Sequence, residues 1–188
     1  GHGLFKGKVG GTISRPIFRG ELKAETVTMN GVELREVHGF VHYENGMIDM
    51  ERTGFRQGAD ASVSAHLRYD TETRSLRGTL DIMQMDVEAL LALANQKENR
   101  LTGAITSKVQ LGGSLDNPSI TLSGEIAEGT LASYPISNVE IDASLADRVL
   151  TLRRLSGKQE QGSFSAVGTA AFDGNADMDV TASDLALG

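Results

Sequence analysis

Residues 62–70 read "SVSAHLRYD": Val63, Ala65, Leu67 and Tyr69 are apolar, and Ser62, Ser64, His66, Arg68 and Asp70 around them are polar. Successive side chains of a strand point to opposite faces, so a period of two describes a β-strand with one dry and one wet side. The pattern recurs outward from this stretch. Leu76, Gly78, Leu80 and Ile82 oppose Arg77, Thr79 and Asp81. Leu101, Ile105, Val109 and Leu111 oppose Thr102, Thr106, Lys108 and Gln110. Further on, Ile120, Leu122 and Ile126, then Val139, Ile141, Ala143 and Leu145, then Phe164, Ala166, Ala170 and Phe172, then Met178, Val180 and Ala182 line one side, with mostly Ser, Thr, Asp and Glu between them.

A parallel sheet covered by helices reads as continuous apolar runs; alternation this clean is the habit of antiparallel sheets. The connections agree. Asn45-Gly46 and Asp173-Gly174 are tight-hairpin signals, and Asp70 to Thr73 and Ala146 to Arg148 are short polar turns, so sequence neighbours become sheet neighbours in a meander. One stretch departs from the period: in "DVEALLALANQKENR" Asp86 is an N-cap candidate, and Val87, Leu90, Leu91 and Ala94 fall at i, i+3, i+4 and i+7. Glu88 sits in the first turn, with Lys97 and Arg100 towards the end. The spacing predicts one amphipathic helix over 86–97, whose apolar stripe plugs an end or edge of the dry surface.

The chain also repeats itself. Gly10, Gly11 and Pro16 match Gly112, Gly113 and Pro118 at an offset of 102 (112 less 10). Gly20-Glu21-Leu22 matches Gly124-Glu125-Ile126, Val63-Ser64-Ala65 matches Phe164-Ser165-Ala166, and Asn45-Gly46 falls where Asp147-Arg148 falls. The expected organisation is a tag remnant and lead-in strand over 1–8, a first degenerate β-repeat over 9–100 ending in the helix, and a second repeat over 101–188 continuous with it in one sheet. The Gly-Gly and Pro pairs are expected to mark where one strand ends and the next module's sheet begins. A meander of roughly 14 strands with one dry face must cover that face, and repetition at this period favours growth in one direction. The fold class predicted is all-β, a long curved antiparallel sheet folded into an open trough with one short helix.

Composition excludes other classes. A net charge of −7 and a pI near 5.1 argue against nucleic acid, since no basic stripe is present to displace counterions. No apolar run reaches the roughly 18 residues of a membrane span, and no signal-peptide pattern opens the sequence, which predicts a soluble chain. Gly1-His2-Gly3 looks like a tag scar and Leu187-Gly188 stops in mid-pattern, the marks of a piece cut from something longer. Zero cysteines remove thiol and disulfide chemistry without fixing a compartment.

Residues 76–188 carry a family resemblance. A strand with Leu80-Asp81, a short helix, Leu101-Thr102-Gly103, alternating strands, Gly112-Gly113 through Asn117-Pro118, and Gly124-Glu125-Ile126 follow one another as in the periplasmic repeats of TamB-like proteins of the AsmA superfamily. The tail "LRRLSGKQEQGSFSAVGTAAFDG" is similar to those repeats too, and the first copy is a weaker version with Arg15-Pro16 in place of Asn117-Pro118. The resemblance implies a taco-shaped sheet, hydrophobic inside, in an inner-membrane-anchored protein that spans the periplasm of a double-membraned bacterium. It also implies phospholipid movement to the outer membrane, with acyl chains as cargo and an outer-membrane barrel as partner. The lipid lining is then Val63, Leu67, Leu80, Ile82, Leu101, Ile105, Val109, Leu111, Ile120, Leu122, Ile126, Val139, Ile141, Leu145, Phe164, Phe172, Met178 and Val180. A chaperone-like or scaffold module that receives β-strands in outer-membrane protein assembly is the alternative; a closed sandwich acting as adhesin or spacer is the third.

No enzyme, cofactor or metal site is expected. His38 and His42 share a strand face but lie about 13 Å apart at some 3.3 Å per residue, too far to grip one ion. The "DGNADMD" run offers Asp173, Asn175, Asp177 and Asp179, but Met178 replaces the glycine a calcium loop needs, and Asp184 stands where its glutamate belongs. There is no Gly-x-Ser-x-Gly elbow, phosphate loop or cysteine nucleophile, and Arg153-Arg154 reads as a solvated pair.

Overall fold

The computed structural model describes residues 3–93, 95, 96 and 100–185. Twelve strands form one sheet in chain order, every neighbouring pair antiparallel. They are β1 (Gly3–Thr12), β2 (Arg15–Met29), β3 (Val32–Glu44), β4 (Met47–Gln57), β5 (Ala61–Asp70), β6 (Ser75–Asp86), β7 (Leu101–Gly113), β8 (Pro118–Leu131), β9 (Tyr134–Ala146), β10 (Val149–Gln159), β11 (Gly162–Ala171) and β12 (Ala176–Ser183), with helix α1 (Val87–Leu93) between β6 and β7. β1 and β12 are the outer strands and do not pair with each other, so the sheet is open, as expected of a repeat that grows in one direction. The strands are fewer than the 14 expected because they are long, up to the 15 residues of β2. β1 runs unbroken through residue 8, where a boundary was expected.

The turns recur with the sequence. Gly11 (φ 80°) pairs with Pro16 and Gly113 (φ 81°) with Pro118, closing the β1–β2 and β7–β8 hairpins. A Cβ on either glycine would run into the carbonyl oxygen four residues on, of Arg15 or Asn117, so the left-handed turn requires glycine. The Gly-Gly and Pro pairs thus close hairpins and are not the seam between modules. Asn45-Gly46 (φ 49° and 77°) and Asp147-Arg148 (φ 50° and 61°) both take the two left-handed residues of a tight type I′ turn. Asp173-Gly174 lies instead in a four-residue connection, residues 172–175, where the Asn175 N–H donates to Asp173 Oδ1 at 3.1 Å.

Irregularities recur at the same spacing. Glu36 and Asn138 are both left-handed at φ 50°, and 138 less 36 is 102. The bulge between Met50 and Thr53 in β4 has its counterpart between Leu152 and Leu155 in β10, again 102 later (152 less 50). Bulges bend a strand and raise its twist, so the curvature of the trough is written at matching points of its two halves.

The buried core is small and lies under α1. Met85, Ile126, Ile105, Val139, Val63 and Ile136 form its centre with Val87, and Leu90, Leu91 and Leu101 pack on it. On the other side of the helix Ala89 packs with Val32 and Leu34. One seven-residue helix thereby touches β3, β6 and β7, which places it inside the curl of the sheet. Asp86 caps it as predicted, its Oδ1 accepting the Glu88 N–H at 2.8 Å. From the β2–β3 turn, Asn30 Nδ2 donates to the carbonyls of Ala92 (3.1 Å) and Leu93 (3.3 Å). The expected end of the helix, with Ala94 and Lys97, lies outside the described residues.

The chain exposes 12,410 Å². A compact protein of 20.0 kDa exposes about 8,700 Å². The excess of over 3,000 Å² belongs to a single curved layer rather than two layers closed on each other.

Candidate functional site

The strand registers align the apolar positions into rows that cross the sheet at right angles to the strands. One row runs Met50, Leu67, Gly78, Leu111, Ile120, Leu145, Leu150, Ala170, each paired with the next. The next runs Ala65, Leu80, Val109, Leu122, Ala143, Leu152, Gly168, Met178. A third runs Val63, Ile82, Ser107, Gly124, Ile141, Leu155, Ala166, Val180. Each side chain shares a face with its cross-strand partner, so the rows make one apolar surface on the side that carries α1. Twelve strands at about 4.8 Å extend it for about 50 Å.

The expected lining residues divide into three groups along this surface. Val63, Ile105, Ile126 and Val139 are buried in the cluster beneath the helix, and Ile126 is wholly inaccessible. These four are plug rather than open lining. Leu67, Leu80, Ile82, Leu101, Val109, Leu111, Ile120, Leu122, Ile141, Leu145 and Phe164 are half-buried; Leu80, Ile82, Leu101, Ile141 and Phe164 lean on the plug, and the other six have neighbours within the sheet and an open side. Met178, Val180 and Phe172 are exposed, Val180 and Phe172 at 70% each, and Phe172 lies just beyond β11 in the turn.

The surface also continues where no lining was assigned. Val9, Phe18, Tyr43, Ile48, Tyr69 and Leu76 form a further row across β1 to β6. Phe5 and Phe18 stack there with ring centroids 5.9 Å apart. The signal was present in "VHYENGMIDM", where Val41 and Tyr43 alternate into the turn and Ile48 and Met50 alternate out of it.

Polarity on this face is sparse. Ser107 is buried in the third row, and its Oγ has no hydrogen-bond partner. Charges gather on the opposite face in matched pairs. Arg153 donates to Asp142 (2.7 Å) and Arg154 to Glu140 (2.8 Å), while at the strand ends Arg74 of the β5–β6 turn donates to Asp116 of the β7–β8 connection (2.9 Å). Arg153 and Arg154, read from sequence as a solvated pair, are exposed but ion-paired. Asp49, Glu51 and His66 bring one ligand atom each within 4.8 Å of the others. Asp49 is already engaged there by Arg68 and by His66 (3.0 Å). Burial pushes the Asp49 carboxyl up, but the hydrogen bonds from Arg68 and His66 outweigh it and hold the group below its ordinary range. His38 Nδ1 lies 2.8 Å from the Glu36 carbonyl oxygen and His42 Nε2 lies 3.4 Å from Glu44.

What this arrangement offers chemically is a long apolar surface, covered beneath α1 and exposed towards β12. No family description, curated protein or solved structure matches the chain.

Proposed function

We propose that the inner face of the trough holds phospholipid acyl chains, as a groove module of a TamB-like periplasmic protein that passes lipid between the inner and outer membranes. The observation that carries this reading is the row structure: aliphatic side chains continue across the strands with an open side and almost no polar anchor. Burying a chain of roughly 16 carbons completely is worth about 12 kcal/mol at ~0.8 kcal/mol per methylene, and a groove open on one side recovers about half of that. Weak, similar positions side by side suit passage; a deep pocket would hold its cargo.

The test is mass spectrometry of the purified chain for co-isolated phospholipid, with photo-crosslinkers placed at Leu122 and Ile141. Crosslinks to acyl chains at both positions support the reading. The competing reading, a module that receives β-strands, draws on the two unpaired sheet edges, β1 and β12. It prevails if those crosslinkers capture no lipid while unfolded outer-membrane protein segments bind.

A further inference from the structure

The outer face of the first half of the sheet gathers basic side chains. Arg19, His42, Asp49, Arg68 and Arg77 pair in succession across β2 to β6, one carboxylate among four basic groups in a chain of net charge −7. At the β5–β6 end of this row Arg68 stands directly opposite Arg77, and His66 stands opposite Thr79 beside them. Like charges set opposite each other across strands are destabilising. Asp49 relieves one of the two: Arg68 Nε donates to Asp49 Oδ2 at 3.0 Å and Nη2 donates to the same oxygen, which leaves Nη1 for another acceptor. Arg77 has no such relief, and among the described residues it is in no ion pair.

The second copy builds the same part of the sheet without these cations. There β10, β11 and β12 set Thr151, Thr169 and Asp177 in succession where β4, β5 and β6 set Asp49, Arg68 and Arg77. Val167 stands opposite Asp179 where His66 stands opposite Thr79. The fold therefore does not ask for two opposed arginines. His66, Arg68, Arg77 and Thr79 line, with Gly78, one cavity of about 230 Å³. Pockets that take up whole small molecules run to about 300–1,000 Å³, so this one is sized for a terminal group.

We propose that this cluster binds a phosphate monoester, held between the guanidinium groups of Arg68 and Arg77 with the Thr79 hydroxyl donating to a third oxygen. Two fixed cations match the charge of a monoester, between −1.5 and −2 near neutral pH, and their planar forks match its oxygens. A carboxylate brings one charge and two oxygens and leaves a donor unused. His66, with Nε2 at 3.0 Å from Asp49 Oδ1, is held as a wall of the cavity. The chemistry is the same for free phosphate and for the headgroup of phosphatidic acid. The cluster faces away from the apolar rows, so it stands whether or not acyl chains occupy them.

Calorimetric titration of inorganic phosphate into the full chain, at low ionic strength and in a phosphate-free buffer, is expected to show one saturable site in the millimolar range, with acetate at least about tenfold weaker. R77T puts a threonine, the residue the second copy uses opposite Asp177, into the pair and is expected to weaken phosphate about tenfold, and T79V about threefold. R19T, at the far end of the same row, is expected to change it less than about twofold. Circular dichroism of each variant should match the parent's. Sedimentation with phosphatidylcholine vesicles, with and without phosphatidic acid, separates the sources: retention that needs phosphatidic acid and is lost in R77T identifies a headgroup, and phosphate binding without retention identifies the free ion. Three results overturn the proposal: no saturation by about 20 mM phosphate, acetate binding as tightly as phosphate, or R19T weakening phosphate as much as R77T, which would make the attraction one of overall charge.

Discussion

Ile126 and Leu122 lie four residues apart on β8 and face the same way, yet an open trough assigns them different costs on truncation. Ile126 is fully inaccessible at the centre of the plug, against Ile105 and Val139. Ile126→Ala removes three carbons, about 2.4 kcal/mol at ~0.8 kcal/mol per carbon, and leaves a hole that helix and sheet cannot collapse into. With the cavity term the loss is about 3–4 kcal/mol. Leu122→Ala also removes three carbons, but Leu122 is half-buried with its far side open. Only about half the transfer value is lost and no cavity forms, so the cost is about 1 kcal/mol. Urea denaturation of delipidated protein, followed by circular dichroism, measures both, and the slope should stay constant while the midpoints separate. The reasoning is refuted if the two variants lose stability within about 0.5 kcal/mol of each other, because Leu122 would then be packed as tightly as Ile126 and the groove would be ordinary core.

Three further outcomes are expected. Asp86→Ala removes the cap on α1 and should cost about 1 kcal/mol in the same assay, with Asp86→Asn close to neutral. Ser107→Ala removes a buried hydroxyl that has no partner and should leave stability unchanged or raise it by up to about 1 kcal/mol; a loss of that size would show that the hydroxyl is satisfied. Asp49 titrates below its ordinary 3.8, so its bonds to Arg68 and His66 stabilise the fold fully above that pH and are lost as pH falls through the depressed folded value. The denaturation midpoint of the parent should therefore fall more steeply below pH ~4 than that of Asp49→Asn, and parallel curves would refute this.

The alternation made the sheet legible because each strand has one solvated face, and the pattern of "SVSAHLRYD" survives intact in β5, from the buried Val63 to the exposed Arg68. The Asp86 cap and the Asn45-Gly46 turn were legible for the same reason: both depend on the residues beside them. What depends on distant partners was harder to read. Val63, Ile105, Ile126 and Val139 have the same pattern as Leu122, and only the position of α1 over the sheet turns them into plug. The Gly11–Pro16 and Gly113–Pro118 pairs read as seams because glycine and proline punctuate in both settings; the cross-strand register shows hairpins. The row through Phe18, Tyr43 and Ile48 went unassigned because charged and turn residues interrupt it in the sequence, whereas its members meet across strands.

The distribution of cover along the trough has a consequence for how it works. From β3 to β9 α1 and the cluster beneath it seal the apolar face, with Val32, Leu34, Met85 and Ile126 buried there. Exposure rises towards β12, to 42% at Met178 and 70% at Val180. The face there keeps the aliphatic pattern of a core, with Met178, Val180 and Ala182 paired to Gly168, Ala166 and Phe164. An apolar strip left this open is a standing cost in water, and it is relieved only by something that lies along it. Acyl chains on this face relieve it over Leu122 and Leu145, which are half-buried. A bound lipid should then protect the middle strands from hydrogen exchange more than it protects β1, and equal protection of both would refute the placement of the acyl chain over Leu122 and Leu145.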